Sequence, residues 1–244
     1  MTPDFDTFSA GYDAGENQIV YTRLTADLDT PVSLMLKLTA AGKHAFLLES
    51  VTGGEIRGRY SIVGMKPDLI WDCSGTQSRI NRDARFDEDG FVDQSGDPLD
   101  NLRGLIAESR IDLPADLPAA SAGLFGYLGY DMIRLVEHLP DVNPDPLGLP
   151  DAVMLRPSVV AVLDGVKGEV ILVAPAYATS GLTAKAAYAQ AAERVMDAQR
   201  ALEKSSYSAC VNAPLSPSRT PYGVNSTPSN STPWMVAEAA LPTT

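Results

Sequence analysis

Apolar positions recur along this chain in two rhythms, and each rhythm predicts its own elements. Gln18–Ala26 (QIVYTRLTA) alternates and is rich in β-branched residues, the mark of a strand. Thr30-Pro31 offers an N-cap and a proline at the first helical position. Leu34, Leu38 and Ala41 follow at helical spacing, so Val32–Ala41 is expected to be a helix ended by Gly42. His44–Ser50 predicts a buried strand, and Tyr60–Met65, Asp68–Ser74 and Gln77–Asn81 predict three more, separated by Lys66-Pro67 and Gly75-Thr76. Connections this short leave no room for crossovers, so these strands must form an antiparallel meander. Asp97-Pro98 opens a second helix, with Leu99, Leu102, Leu105 and Ile106 on one face.

The second half continues in the same way. Leu113–Ala120 is a connection of prolines and alanines, and Ser121–Tyr130 (SAGLFGYLGY) reads as a strand running into a short helix, Asp131–His138. A proline-rich loop over 140–150 leads to Ala152–Leu163 and Glu169–Ala174. These flank Asp164-Gly165-Val166-Lys167-Gly168, a hairpin signal. Leu182–Lys204 carries Ala184, Tyr188, Ala191, Val195, Ala198 and Leu202 at intervals of three and four, the plainest helix in the chain. Residues 1–17 are polar and contain glycine, and read as an extended lead-in. Beyond Lys204 no periodicity survives. More than half of residues 205–244 are Ser, Thr, Pro or Asn, a composition that buries too little apolar area to offset ordering entropy, so a disordered tail is expected. The fold class expected is α+β: an antiparallel β-sheet with packed helices, spanning residues 18–204.

Composition narrows the partners. The 244 residues carry a formal charge of −12, which repels nucleic-acid phosphates and anionic lipid. No apolar run reaches the ~20 residues of a membrane span. The acidic N-terminus has no apolar signal core, so a cytoplasmic protein is expected. Cys73 reads as a small buried hydrophobe, and no disulfide with Cys210 is expected. No cluster of His and Cys suggests a metal, and no nucleophile, zinc-binding or phosphate-loop motif is present, so no catalytic residue is assigned.

One stretch breaks its own pattern. In F-L-L-E-S-V-T-G-G-E-I-R-G-R-Y-S-I-V-G-M (Phe46–Met65) a core strand ends on Glu49 and Ser50, and a glycine-rich loop follows with Arg57 and Arg59. Two readings stay open on the residues alone. One is a strand end turning into solvent at Gly53-Gly54. The other is a zwitterion site, with Glu49 near an ammonium, an arginine or backbone N–H near a carboxylate, and Ser50 as hydrogen-bond donor. The glycines of Gly123-Leu-Phe-Gly126-Tyr-Leu-Gly129 have the wrong spacing and the wrong surroundings for a dinucleotide loop. Close backbone packing or a strand-to-helix bend explains them better.

Two blocks carry a resemblance. L-L-E-S (Leu47–Ser50), G-R-Y-S-I-V-G (Gly58–Gly64) and P-D-L-I-W (Pro67–Trp71) form the first. G-L-F-G-Y-L-G-Y-D-M-I-R-L-V-E (Gly123–Glu137) and L-P-D-A (Leu149–Ala152) form the second. In this order and spacing they resemble the N-terminal region of anthranilate synthase component I, the large chorismate-binding subunit. The sister family, aminodeoxychorismate synthase component I, resembles these blocks less fully. The resemblance implies a lyase of tryptophan biosynthesis that converts chorismate, with ammonia or glutamine, to anthranilate and pyruvate. It implies Mg²⁺ and a glutamine amidotransferase partner, component II, for the full-length family, with L-tryptophan as feedback inhibitor. By that resemblance Ser50 contacts the inhibitor, with Leu48 and Glu49 beside it and Arg59, Tyr60 and Ser61 close by. The family's catalytic half, with its magnesium glutamates, has no counterpart in this sequence, so no Mg²⁺ is expected to bind this chain and the fold is expected to be incomplete relative to the family. Three roles stay open: part of the enzyme, a partial tryptophan-binding module, and a truncated product without function.

Overall fold

The computed structural model describes residues 1–39, 44–49, 58–140 and 145–203. Eight strands form one antiparallel sheet: β1 (Gln18–Thr25), β2 (Phe46–Glu49), β3 (Tyr60–Ser74), β4 (Gln77–Asn81), β5 (Val92–Gln94), β6 (Phe125–Leu128), β7 (Ala152–Asp164) and β8 (Glu169–Ala176). The order is β1-β8-β7-β3-β4-β5, with β2 paired to β3 and β6 to β7. Four helices accompany it: α1 (Phe5–Asp13), α2 (Pro31–Thr39), α3 (Pro98–Glu108) and α4 (Ala184–Glu203). The α+β class, the antiparallel pairing and the β7–β8 hairpin are as the sequence predicts, but the four-strand meander is three strands, β2–β3–β4.

Local chemistry sets the helix starts. Thr30 and Ser33 cap α2 reciprocally, the Ser33 N–H donating to Thr30 Oγ1 at 3.1 Å and the Thr30 N–H to Ser33 Oγ at 2.9 Å. Asp97 accepts from the N–H groups of Leu99 and Asp100 and stands before Pro98 at the start of α3. Along α4 the buried face is Ala184, Ala187, Ala191, Val195 and Ala198, small enough for the helix to lie close on the sheet. The helix end expected at Gly42 and the tail from 205 lie outside the described residues.

The two longest strands, β3 and β7, share a bend. Their register shifts between Pro67 and Leu69, where Pro67 faces Pro157 and Lys66 takes a positive φ of 48°. Neither proline has an N–H to give the ladder, so the pairing yields there and a bulge forms. Partners change across the bend. On one side β3 pairs with β2 and β7 with β8; on the other β3 pairs with β4 and β7 with β6. The sequence reading splits β3 in two at Lys66-Pro67, whereas the chain runs through as one strand of 15 residues.

Three cores result. α1, α2 and α4 cover one face of the β1–β8–β7–β3–β2 half, over Val20, Val63, Ala161, Leu172 and their neighbours. Its other face, with Ile19, Val160, Val162 and Val173, is covered by Ile111, Leu113, Leu117 and Phe125. On the far side of the bend α3 packs Leu102 and Leu105 against Leu69, Trp71 and Ile80.

Several local expectations need correction. Residues 1–17 are not an extended lead-in. Asp4 caps α1, and Phe8 and Tyr12, one and two turns along, are buried. Phe8 stacks on Tyr12 and meets Tyr188 of α4 edge-on at 5.1 Å. Trp71 is fully buried. The helix expected over Asp131–His138 is a 3₁₀ stretch, Tyr130–Leu135, and β5 had no signal in the sequence. Cys73 is buried as expected, and burial chiefly pushes its thiol up to about 11. Cys210 lies outside the described residues.

Candidate functional site

The candidate residues gather at the free end of the β2–β3 hairpin. Leu48 faces Ile62 and Glu49 faces Ser61 across an antiparallel pair, and Tyr60 begins β3. Alternation then divides them. Leu47 and Val63 belong to the core beneath the helices, which puts Glu49 and Ser61 on that face of the sheet. Tyr60 and Ile62 pack into the core on the other face, and Leu48 goes with them. Glu49 is exposed, and its carboxylate has no partner among the described residues. Ser50, Gly53-Gly54 and Arg57 lie outside the described residues.

Arg59 is not free to meet a ligand carboxylate with its whole fork. Its Nε donates to both oxygens of Asp164, at 3.0 and 3.1 Å, and its Nη2 to Oδ2 at 2.7 Å. The guanidinium also lies over the Tyr60 ring, 4.9 Å from its centroid. Asp164 is the first residue of the β7–β8 turn and accepts from the Val166 and Lys167 N–H groups as well. Burial pushes its carboxyl up, but the hydrogen bonds from Arg59 and from the turn outweigh it and hold the group below its ordinary value. Arg59 thus ties the mouth of the β2–β3 hairpin to the β7–β8 hairpin. The aspartate that opens a hairpin turn was legible in the sequence; its pairing with an arginine 105 residues away was not.

The region beside the hairpin is shaped by two glycines. A side chain at Gly64 would overlap the Phe46 ring and come within 3.0 Å of Pro157 Cγ, so Phe46 lies over a bare Cα at the bend and reaches Phe125 at 4.8 Å. Gly126 brings β6 so close to β7 that a Cβ would overlap the Val153 carbonyl. This agrees with close backbone packing as the use of the G-L-F-G-Y-L-G run.

The strongest charged cluster lies away from the hairpin, and the sequence reading missed it. Arg156, in mid-strand, is only 7% exposed. It forms a two-pronged bond with Asp68 at 2.9 and 3.0 Å, reaches Glu108 at 3.2 Å, and stacks its guanidinium 3.9 Å from the centre of the Tyr177 ring. Glu108 is also gripped by Arg82 at 2.7 and 2.8 Å, the chief reason its carboxyl sits below the ordinary value. The available signal was an arginine inside an otherwise apolar strand, which demands a buried partner.

Among the described residues no group of three His, Cys, Asp or Glu side chains converges as a metal site requires. No helix among them is long and apolar enough to cross a membrane.

Over 200 residues the chain is 74% identical to anthranilate synthase component 1 of Cereibacter sphaeroides, covering 82% of this chain and 40% of that protein. It is 40% identical over 157 residues to anthranilate synthase component 1 of Pseudomonas putida, covering 62% of this chain and 31% of that one. A crystal structure of anthranilate synthase component I from Streptococcus pneumoniae aligns at 24% identity with a TM-score of 0.47, over 72% of this chain and 36% of that one. No family model matches. The chain therefore spans from 31% to 40% of the length of these two curated relatives.

Proposed function

We propose, from the premise that this chain is homologous to anthranilate synthase component I over most of its length, that it supplies the N-terminal, tryptophan-sensing region of such an enzyme. The observation that carries this reading is the 74% identity sustained over 200 residues. The reaction assigned to the whole enzyme is conversion of chorismate and ammonia to anthranilate and pyruvate in the cytoplasm. Mg²⁺ and an amidotransferase component II belong to that whole enzyme.

Within this chain the function is regulatory. Ser50, next to Glu49 in the sequence, is the inhibitor contact, and the exposed Glu49 carboxylate, without a partner among the described residues, receives an ammonium. Ser61 shares the face of Glu49. Leu48 and Tyr60 lie on the opposite face and support the hairpin from behind. Arg59 acts at one remove, by holding the hairpin to Asp164. The inhibitor carboxylate is then left to Arg57 or to backbone N–H groups, the other donors the sequence reading allowed.

The chemistry resides outside these 244 residues. The purified chain, given chorismate, ammonia and Mg²⁺, is expected to form no anthranilate above the buffer control when followed by anthranilate fluorescence. Sustained turnover would overturn the division of labour proposed.

A further inference from the structure

A cavity of about 400 Å³ lies between the end of β8, the first turns of α4 and the turn around residues 82–86. That is within the range of small-molecule sites, ~300–1,000 Å³. Its charge is unusual for a chain of net −12. Four arginines line it, Arg82, Arg85, Arg156 and Arg194, against Asp68, Asp83 and Glu108.

The pairings decide what remains available. Arg82, Glu108, Arg156 and Asp68 form one connected, neutral chain of ion pairs. That leaves Arg85 and Arg194 against Asp83 alone. Arg194 gives its Nη2 to the Pro175 carbonyl at 2.7 Å, while its Nε is buried with no partner among the described residues. Burial and then the charge of Arg85 push its guanidinium below the ordinary value. Tyr177 is 6% exposed, and its hydroxyl is likewise buried without a partner. Burial pushes that phenol up, so it stays protonated, a donor, at neutral pH. A buried donor left unpaired is costly, and two on residues that line one cavity call for an acceptor.

We propose that this cavity binds a small organic oxyanion, a carboxylate or phosphate ester, on the Tyr177 hydroxyl, the Arg194 Nε–H and the exposed guanidinium of Arg85. The anion satisfies both buried donors and the excess positive charge, which no side chain of the cavity does. Pro175, Leu182 and the exposed ring of Phe86 give its carbon skeleton an apolar wall. The site is separate from the β2–β3 hairpin and does not depend on the function proposed for it.

The test is titration of the purified chain with malonate and with inorganic phosphate at constant ionic strength, sodium chloride making up the balance. Binding is followed by calorimetry and by the melting temperature. Either probe is expected to raise the melting temperature saturably where chloride does not, and the tighter one identifies the anion class. Tyr177→Phe is expected to weaken binding about five-fold, the loss of one hydrogen bond. Arg194→Gln is expected to weaken it at least about ten-fold, the loss of a charge-assisted one. Arg85→Gln, on the exposed rim, serves if either buried variant fails to fold, and is expected to weaken binding about three-fold. No saturable response to either probe, or unchanged affinity in the folded variants, would overturn the site.

Discussion

Replacing Gly126 by alanine is expected to lower the melting temperature by roughly 5–10 °C, the consequence of about 2–3 kcal/mol in a unit of this size. β6 is a four-residue strand whose one ladder among the described residues is with β7, with Gly126 opposite Met154. A methyl group there meets backbone, the Val153 carbonyl, with the Val153 carbonyl carbon at 2.8 Å and Met154 Cα at 3.0 Å. Backbone in the middle of a ladder cannot rotate aside as a side chain can, so β6 must move away and disturb Phe125 and its contact with Phe46. Gly104 is the internal control. It sits on the exposed face of α3 with nothing near the position of a Cβ. Alanine there is expected to stabilise by about 0.5–1 kcal/mol through helix propensity. Thermal unfolding of both variants checks the sign as well as the size.

The second large effect is at Arg156. Arg156→Met is expected to cost about 3 kcal/mol, the lower end of the range for truncating one member of a buried ion pair. Asp68 loses both of its hydrogen bonds from Arg156 but is partly exposed and recovers some hydration, while Glu108 keeps Arg82. Methionine restores the packing volume, so the loss reports the ion pairs and the stack on Tyr177. The comparison is Arg103→Met, which removes a shorter ion pair, 2.6 Å, with Asp100 at an exposed position and is expected to change stability by no more than about 0.5 kcal/mol. Chemical denaturation of the two variants separates them.

These two sites also show what the sequence makes legible. Local signals were sufficient wherever the physics is local. The Thr30-Pro31 and Asp97-Pro98 caps, the Asp164-Gly165 turn and the apolar stripe of α4 all form as their residues dictate. The α1 helix was missed because its buried face is only Phe8 and Tyr12, too few positions to establish a period among polar neighbours. β3 was cut at Lys66-Pro67 because a proline normally ends a ladder. Here the opposing residue is Pro157, and the two strands share the interruption. Pairings that join distant segments, β1 to β8 or Arg59 to Asp164, leave no mark in any short window. For the candidate site, resemblance named the residues, but only the pleat shows that Glu49 and Ser61 share a face while Leu48 and Tyr60 lie on the other.

The regulatory role is tested most directly in a chimera. Residues 18–204 of this chain replace the corresponding region of the Cereibacter sphaeroides protein, and anthranilate formation from chorismate, ammonia and Mg²⁺ is measured against tryptophan concentration. The chimera is expected to turn over and to be inhibited by tryptophan. Its Ser50→Phe variant is expected to keep the uninhibited rate within about two-fold while needing at least ~10-fold more tryptophan for half inhibition, a loss of about 1.4 kcal/mol of inhibitor binding. A Ser50→Phe chimera inhibited at the same tryptophan concentration as its parent would contradict the assignment of this region as the tryptophan sensor.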